Sequence, residues 1–273
     1  MSFLRKFFPF ASIFYLFYVL LFGIKLKNMM KRTLIFLIFS ISQFLNYACA
    51  QRIITTERIE VTNVLDDKPD REAMNIISKY KASVDSVMAP VLGESLVGMS
   101  GARPESLLSN WAADVMVEYS DFKDGKKADM GIVNIGGLRN NMPKGTVRRG
   151  DIILISPFDN RLAVVHIKGS DLLSLFQDVA AVHGEGVSHE VSLIITKDGK
   201  LVEAQVGGKP IDPNRTYRVA TLDYLSEGND RLYSFKKAQK VDVSDLFSRD
   251  CMMQYVKQHS PINSKIEGRI LVK

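Results

Sequence analysis

The sequence predicts an α+β fold, and three observations carry that expectation. Apolar residues recur at helical spacing in several stretches, apolar runs of strand length lie between them, and one pair of those runs is joined by an Asp-Gly turn. Helices and strands mix without the regular β-α-β alternation of a doubly wound parallel sheet, so helices layered on mixed β-sheets fit better. No internal repeat, low-complexity tract or Pro-rich linker divides residues 70–273.

From Arg52 to Leu65 apolar and polar residues roughly alternate, as in an edge strand or extended arm, and an acidic turn (Asp66 to Asp70, with Pro69) follows. Glu72 to about Val91 places Met74, Ile77, Tyr80, Val84 and Val87 at helical spacing, and Pro90 limits any continuation. Pro104 and Glu105 announce a second helix carrying Leu107, Leu108, Trp111, Ala112, Val115 and Met116. A short strand leads to Asn134. Asp151 to Ser156 suits a short strand or a turn of helix, and Leu162 to Ile167 a strand. Gly169-Ser170-Asp171 starts a helix running through Val179. Val191–Thr196 and Leu201–Val206 form a hairpin around Asp198-Gly199, and Tyr217–Leu222 is another strand. Ser244 and Asp245 supply an N-cap signal for a helix ending near Gln258, and Ile266–Val272 closes the chain as a strand.

Charge is unevenly placed. Residues 1–50 hold six of the 36 Lys and Arg and none of the 30 Asp and Glu, so the remaining 30 basic residues balance the acidic ones. The basic excess belongs to the leader, and a nucleic-acid polymer is not an expected partner. The leader also holds two apolar blocks. Met29-Met30-Lys31-Arg32, the run Leu34–Leu45 and Ala48-Cys49-Ala50 before Gln51 read as a signal peptide cut after Ala50, which implies export to the periplasm or cell envelope. Acylation of Cys49 is the weaker reading, because Asn46 and Tyr47 precede the Ala-Cys pair. The earlier block, Phe7–Ile24, is explained most simply if synthesis starts at Met29 or Met30. The expected organisation is therefore a leader at 1–50, an N-terminal arm at 51–70 and one domain at 71–273. Cys251, the other cysteine, falls in a helical pattern as a small core residue.

The chain lacks a Walker loop, a G-x-G-x-x-G after a strand, H-E-x-x-H and G-x-S-x-G. Its four histidines are scattered, with no metal-ligand spacing. Three other motifs carry the chemistry. Gly136 and Gly137 follow a strand and are flanked by Asn134 and Arg139. The pair fits a tight turn needing positive φ, or a backbone bared so that a phosphate or carboxylate meets N–H groups and a forked guanidinium. Pro157-Phe158-Asp159-Asn160 holds a ring between turn-forming residues, where it is either core or a face-out stacking platform beside the Asn160 amide. In Ala220 to Asp230 an aromatic leaves a strand and a Gly-containing loop ends in Asp, giving a second ring and a carboxylate for sugar hydroxyls, or else a capped strand end.

Together, Asn134-x-Gly-Gly-Leu-Arg139, Pro-Phe158-x-Asn160 and Tyr217-x-Val-Ala-Thr-x-x-Tyr224-Leu-x-x-Gly228-x-Asp230 resemble the C-terminal, substrate-recognition domain of the 5′-nucleotidase and UDP-sugar hydrolase family. Further similarity lies in Glu105–Asn110, Lys168–Leu172 and Gly208–Pro213, and the match covers roughly residues 80–273. The resemblance implies that Phe158 and Tyr224 clamp a nucleobase, that Asp230 binds ribose hydroxyls, that Arg139 and Arg103 grip phosphates, and that Asn134 and Asn160 contact the nucleoside. Gly136 and Gly137 would let the ligand approach the backbone. Two departures stand out. The family's Gly-Gly-Asp-Gly is Gly228-Asn229-Asp230-Arg231 here, and its metallophosphoesterase domain, which holds divalent metals, is not found before Glu72. The expectation is a nucleotide- or nucleoside-binding part of a split nucleotide phosphohydrolase, with no catalytic residue or metal of its own and a separate metallophosphoesterase as partner. A non-catalytic envelope binding or interaction module is the alternative.

Overall fold

A carboxylate starts the first helix. Asp70 accepts a hydrogen bond from the Ala73 amide (2.9 Å) and caps α1 (Arg71–Met88), so the acidic turn read from sequence ends as an N-cap. This is a computed structural model that describes residues 69–273, and the leader and nearly all of the expected arm lie outside the described residues. α1 buries none of its residues. Among the described residues its last turn is held by Met88 against Gly150 and by Arg148, which donates to the Ala89 carbonyl (2.9 Å).

After Pro90 come β1 (Val91–Ser95) and α2 (Leu107–Glu118), whose N-cap Ser106 exchanges hydrogen bonds with Ser109. β2 (Met130–Val133) leads through a 3₁₀ turn (Ile135–Gly137) to β3 (Gly145–Arg148) and α3 (Arg149–Ile155). β4 (Arg161–Lys168) runs directly into α4 (Gly169–Ala181). Then follow β5 (Gly186–Val187), the hairpin β6 (Val191–Ile195) and β7 (Leu201–Val206), β8 (Lys209–Pro210) and β9 (Thr216–Leu222). A one-turn helix α5 (Asp223–Ser226), β10 (Lys240–Phe247), α6 (Ser248–His259) and β11 (Ile270–Val272) complete the chain.

The expected α+β class is what forms. A five-stranded mixed sheet, ordered β10-β4-β9-β2-β5, is the centre, with a four-stranded sheet β11-β6-β7-β8 and the pair β1-β3 beside it. α2 packs on β2 and β5, and α4 on β4 and β7, closing a core around Trp111, Met116, Met130, Ile132, Phe176 and Phe235. The C-terminal strand is pinned by buried Arg269, which makes two 2.8 Å bonds to Asp114 of α2 and donates to the Val187 carbonyl. Cys251 is buried in α6, and burial pushes its thiol up to about 12, in keeping with a packing role.

Two expectations need correction. Ser244 and Asp245 do not cap a helix. They lie in β10, where Val241 and Val243 pair with Val165 and Ala163, and the Ser244 hydroxyl accepts from Leu246 N (3.1 Å) inside a bulge before Phe247. The hydroxyl thus makes the local turn that suggested a cap, and the helix starts four residues later. The final strand is shorter than Ile266–Val272, since Glu267 and Arg269 turn their amides to Glu105 instead of a strand neighbour.

The placement of α2 over β2 depends on Gly131, where a Cβ would sit 2.7 Å from the Ala113 carbonyl and 2.9 Å from Val117. Gly131→Val should lower unfolding free energy by about 1–3 kcal/mol, the usual cost of overpacking, in a denaturant titration. An unchanged midpoint would mean that helix and sheet are not packed this closely.

Candidate functional site: an aromatic cleft at one sheet end

Strand register gathers the three sequence motifs. β4 and β9 are antiparallel with Leu162 opposite Leu222, so the residues before β4 and those after β9 emerge at the same end. β2 runs parallel to β9 (Met130 beside Val219, Gly131 beside Ala220), so its exit at Asn134 joins them. Phe158 precedes β4, Tyr224 follows β9 and the Gly136-Gly137 turn follows β2. All three open onto one cleft of about 270 Å³, lined by Asn134, Gly136, Gly137, Arg139, Phe158, Asn160, Tyr224 and Asp230.

Cross-links hold the loops together. The Arg139 amide donates to the Ile155 carbonyl (2.8 Å), tying the glycine turn to the end of α3 just before Phe158. Asp223 Oδ1 accepts from the amides of both Arg161 (3.0 Å) and Tyr224 (2.7 Å), fixing the two ring-bearing segments to one atom. Both rings are presented to solvent, Phe158 at 44% and Tyr224 at 40% exposure, which for large apolar side chains at a cleft marks a contact surface. Arg139 lies at the lip, its guanidinium 6.0 Å from the Phe158 ring centroid and donating to the Gly136 carbonyl (3.1 Å).

The polar wall is a carboxylate held from two sides. Asp230 takes a left-handed conformation (φ 53°), accepts from the Tyr224 hydroxyl (3.0 Å) through Oδ1 and from the Asn134 amide through Oδ2. That bond to Asp230, then desolvation, raises the Tyr224 phenol above its ordinary range. Asn134 is buried, and among the described residues its Oδ1 has no hydrogen-bond partner. That oxygen is itself buried, packed beside Gly137 and not open to the cleft.

The glycine pair is not explained by positive φ, since neither residue adopts it. A Cβ on Gly137 would lie 2.8 Å from Asn134 Oδ1, so Gly137 makes room for the asparagine amide. Gly136 is exposed and bares backbone to the cleft. Arg103 is placed elsewhere. It borders an adjoining cleft and is ion-paired with Glu185, which is 2% exposed and also accepts from the Ile135 amide. Burial pushes the Glu185 carboxyl above the ordinary range, against the pull of that amide and of Arg103. Sequence reasoning missed Asp223 and Glu185. The first carried only the faint signal of an acid at a helix start, the second none. Among the described residues no group of three His, Cys, Asp or Glu is placed to hold a metal ion.

The family model of the 5′-nucleotidase C-terminal domain matches residues 89–238. The chain belongs to this family. Among its relatives, Protein UshA of Yersinia enterocolitica is 29% identical over 152 residues, covering 54% of this chain and 28% of that protein. Endonuclease YhcR of Bacillus subtilis is 29% identical, covering 74% and 17%, and the NAD 5′-nucleotidase of Haemophilus influenzae is 27% identical, covering 71% and 37%. The crystal structure of a 5′-nucleotidase precursor from Thermus thermophilus matches with a TM-score of 0.66 at 26% identity, over 74% of this chain and 43% of that one. This 5′-nucleotidase C-terminal-type chain therefore spans well under half the length of each of these relatives.

Asp223→Ala should strand two amides and cost about 1–3 kcal/mol of stability, with NMR shifts moving in both ring-bearing loops, while Asp223→Asn keeps the acceptor and stays closer to wild type. Shifts confined to α5 would show that Asp223 does not couple the loops.

Proposed function

We propose that the cleft binds a nucleotide or nucleoside, with the base between Phe158 and Tyr224, ribose hydroxyls at Asp230, polar contacts to Asn134 and Asn160, and a phosphate at Arg139 over the bared backbone of Gly136. The observation that carries this reading is the convergence at one sheet end of two exposed rings, a fixed carboxylate and a guanidinium. Each suits one part of such a ligand: π-faces for a flat base, a carboxylate for vicinal hydroxyls, a forked cation for phosphate.

We further infer that the chain is the substrate-recognition part of a split nucleotide phosphohydrolase acting in nucleotide catabolism. A separate metallophosphoesterase would carry the divalent metals, and this chain's residues bind the nucleotide and orient it. One observation supports a partner: α1 leaves Met74, Ile77, Tyr80, Val84 and Val87 exposed. That helix immediately precedes the matched family segment, so its apolar stripe is the surface assigned to the partner. The signal-peptide pattern before Gln51 supports an assembly in the periplasm or cell envelope.

Calorimetric titration without metal should show AMP binding. Phe158→Ala with Tyr224→Ala should weaken it by about tenfold or more, and Arg139→Ala should weaken AMP but leave adenosine nearly unchanged. Equal loss for AMP and adenosine on Arg139→Ala would remove the phosphate role. The protein alone should be inactive with divalent metal and gain phosphohydrolase activity with its partner, and Tyr80→Asp with Val84→Asp should abolish that gain while sparing AMP binding. Robust activity of the metal-loaded chain alone would refute the split arrangement.

A further inference from the structure

A cation stands where a helix does not favour one. Arg249 is the second residue of α6, and the amides left unpaired in a first turn make positive charge unfavourable there. Its contacts lie instead across the chain, on the loop that carries Phe158. Nη2 pairs with Asp159 Oδ1 (2.5 Å) and Nη1 donates to the Phe158 carbonyl (3.4 Å), so one guanidinium holds two successive residues of that loop. The Ser248 amide donates to the Asn160 carbonyl (2.9 Å) and fixes the next residue to the same helix start. Among the described residues, Pro157, Phe158 and Asp159 make no backbone–backbone hydrogen bond of their own.

The guanidinium rests on Phe247, its carbon 5.2 Å from the ring centroid. Arg161 reaches the same ring at 5.2 Å and pairs with Asp245 (2.8 Å), so two cations, two carboxylates and one half-buried ring form a charge-balanced group. Arg161 is also the residue whose amide shares Asp223 with Tyr224. Phe247 thus joins the supports of both cleft rings, Arg249 on the Phe158 side and Arg161 on the Tyr224 side. None of the three lines the cleft itself.

We propose that Arg249 is a positioning residue for base recognition: it fixes the Phe158 loop to the start of α6 and so holds the ring at its place in the cleft. The inference rests on the nucleotide-binding reading of the aromatic cleft. Without Arg249, a segment lacking backbone bonds would have to be ordered when the base arrives, and that entropy would be taken from affinity. The contact also accounts for a cation in the first turn of α6, where the helix gives it no support.

The test is calorimetric titration of the full chain with AMP and adenosine, without metal, on wild type, Arg249→Gln, Phe158→Ala and the double variant. Because both ligands carry the base, Arg249→Gln should weaken AMP and adenosine equally, by about fivefold or more, while the denaturation midpoint stays close to that of wild type. In the Phe158→Ala background the same substitution should change neither affinity by more than about 1.5-fold, since its effect passes through the ring. A loss that persists without the ring, or wild-type affinity in folded Arg249→Gln, overturns the proposal. Should Arg249→Gln fail to fold, Asp159→Ala removes the same ion pair from the exposed side of the loop, and affinities within about 1.5-fold of wild type overturn the proposal as well. If wild type binds neither ligand, the nucleotide reading fails, and the loop contact is judged on the ligand-free protein. There Arg249→Gln should move the NMR signals of the Phe158 ring and amide, and shifts confined to α6 would show that Arg249 does not position the ring.

Discussion

The site depends on the register of three neighbouring strands. β4 and β9 are antiparallel and β2 is parallel to β9, so the start of β4 and the ends of β9 and β2 coincide at one edge of the sheet. A slip of one residue would exchange the two buried faces of these strands, setting Val165 and Val219 where Val164 and Ala220 now pack, and move Phe158 and Tyr224 to different levels, so the core that fixes the register also fixes the rings. The loops add to this by bonding to one another: Asp223 to both ring-bearing segments, and Arg139 N to the end of α3. Exposed side chains carried on such short tethers lose little entropy when a ligand arrives.

Electrostatics divide the surroundings in two. In the aromatic cleft the carboxylate of Asp230 is occupied by Tyr224 and Asn134, and Arg139 stands at the lip. In the adjoining cleft, Arg103 is committed to a carboxylate that is 2% exposed. The two arginines read from the sequence are therefore placed differently: Arg139 follows a turn beside the rings, and Arg103 pairs through one N–H with a buried acid just after α4. Arg231, left-handed at φ 66°, lines the adjoining cleft and adds a cation there beside Asp230.

Much of this was legible in the sequence. Long amphipathic or apolar segments, such as Leu107–Glu118, Arg161–Lys168, Gly169–Ala181 and the Asp-Gly hairpin, announce themselves through periodicity and caps, and they form as expected. β10 was hidden because its exposed Val241 and Val243 alternate with charged residues at a sheet edge and Ser244 mimics a cap. The residues of the aromatic cleft stood out because glycine, asparagine and aromatic residues at strand ends are costly without a purpose. Asp223 and Glu185 did not, since their roles arise from strand pairing and a helix end far away in sequence, and a lone acidic residue carries no local trace of either. The glycine pair was noticed for a sound reason, but part of its explanation, room for the Asn134 amide, is visible only in three dimensions.

A crystal structure of the protein with AMP would test the central claim most directly. Adenine is expected to stack between Phe158 and Tyr224, with ribose hydroxyls within hydrogen-bond distance of Asp230 and the phosphate on Arg139 beside Gly136. Base density away from the two rings, or a phosphate remote from Arg139, would contradict it.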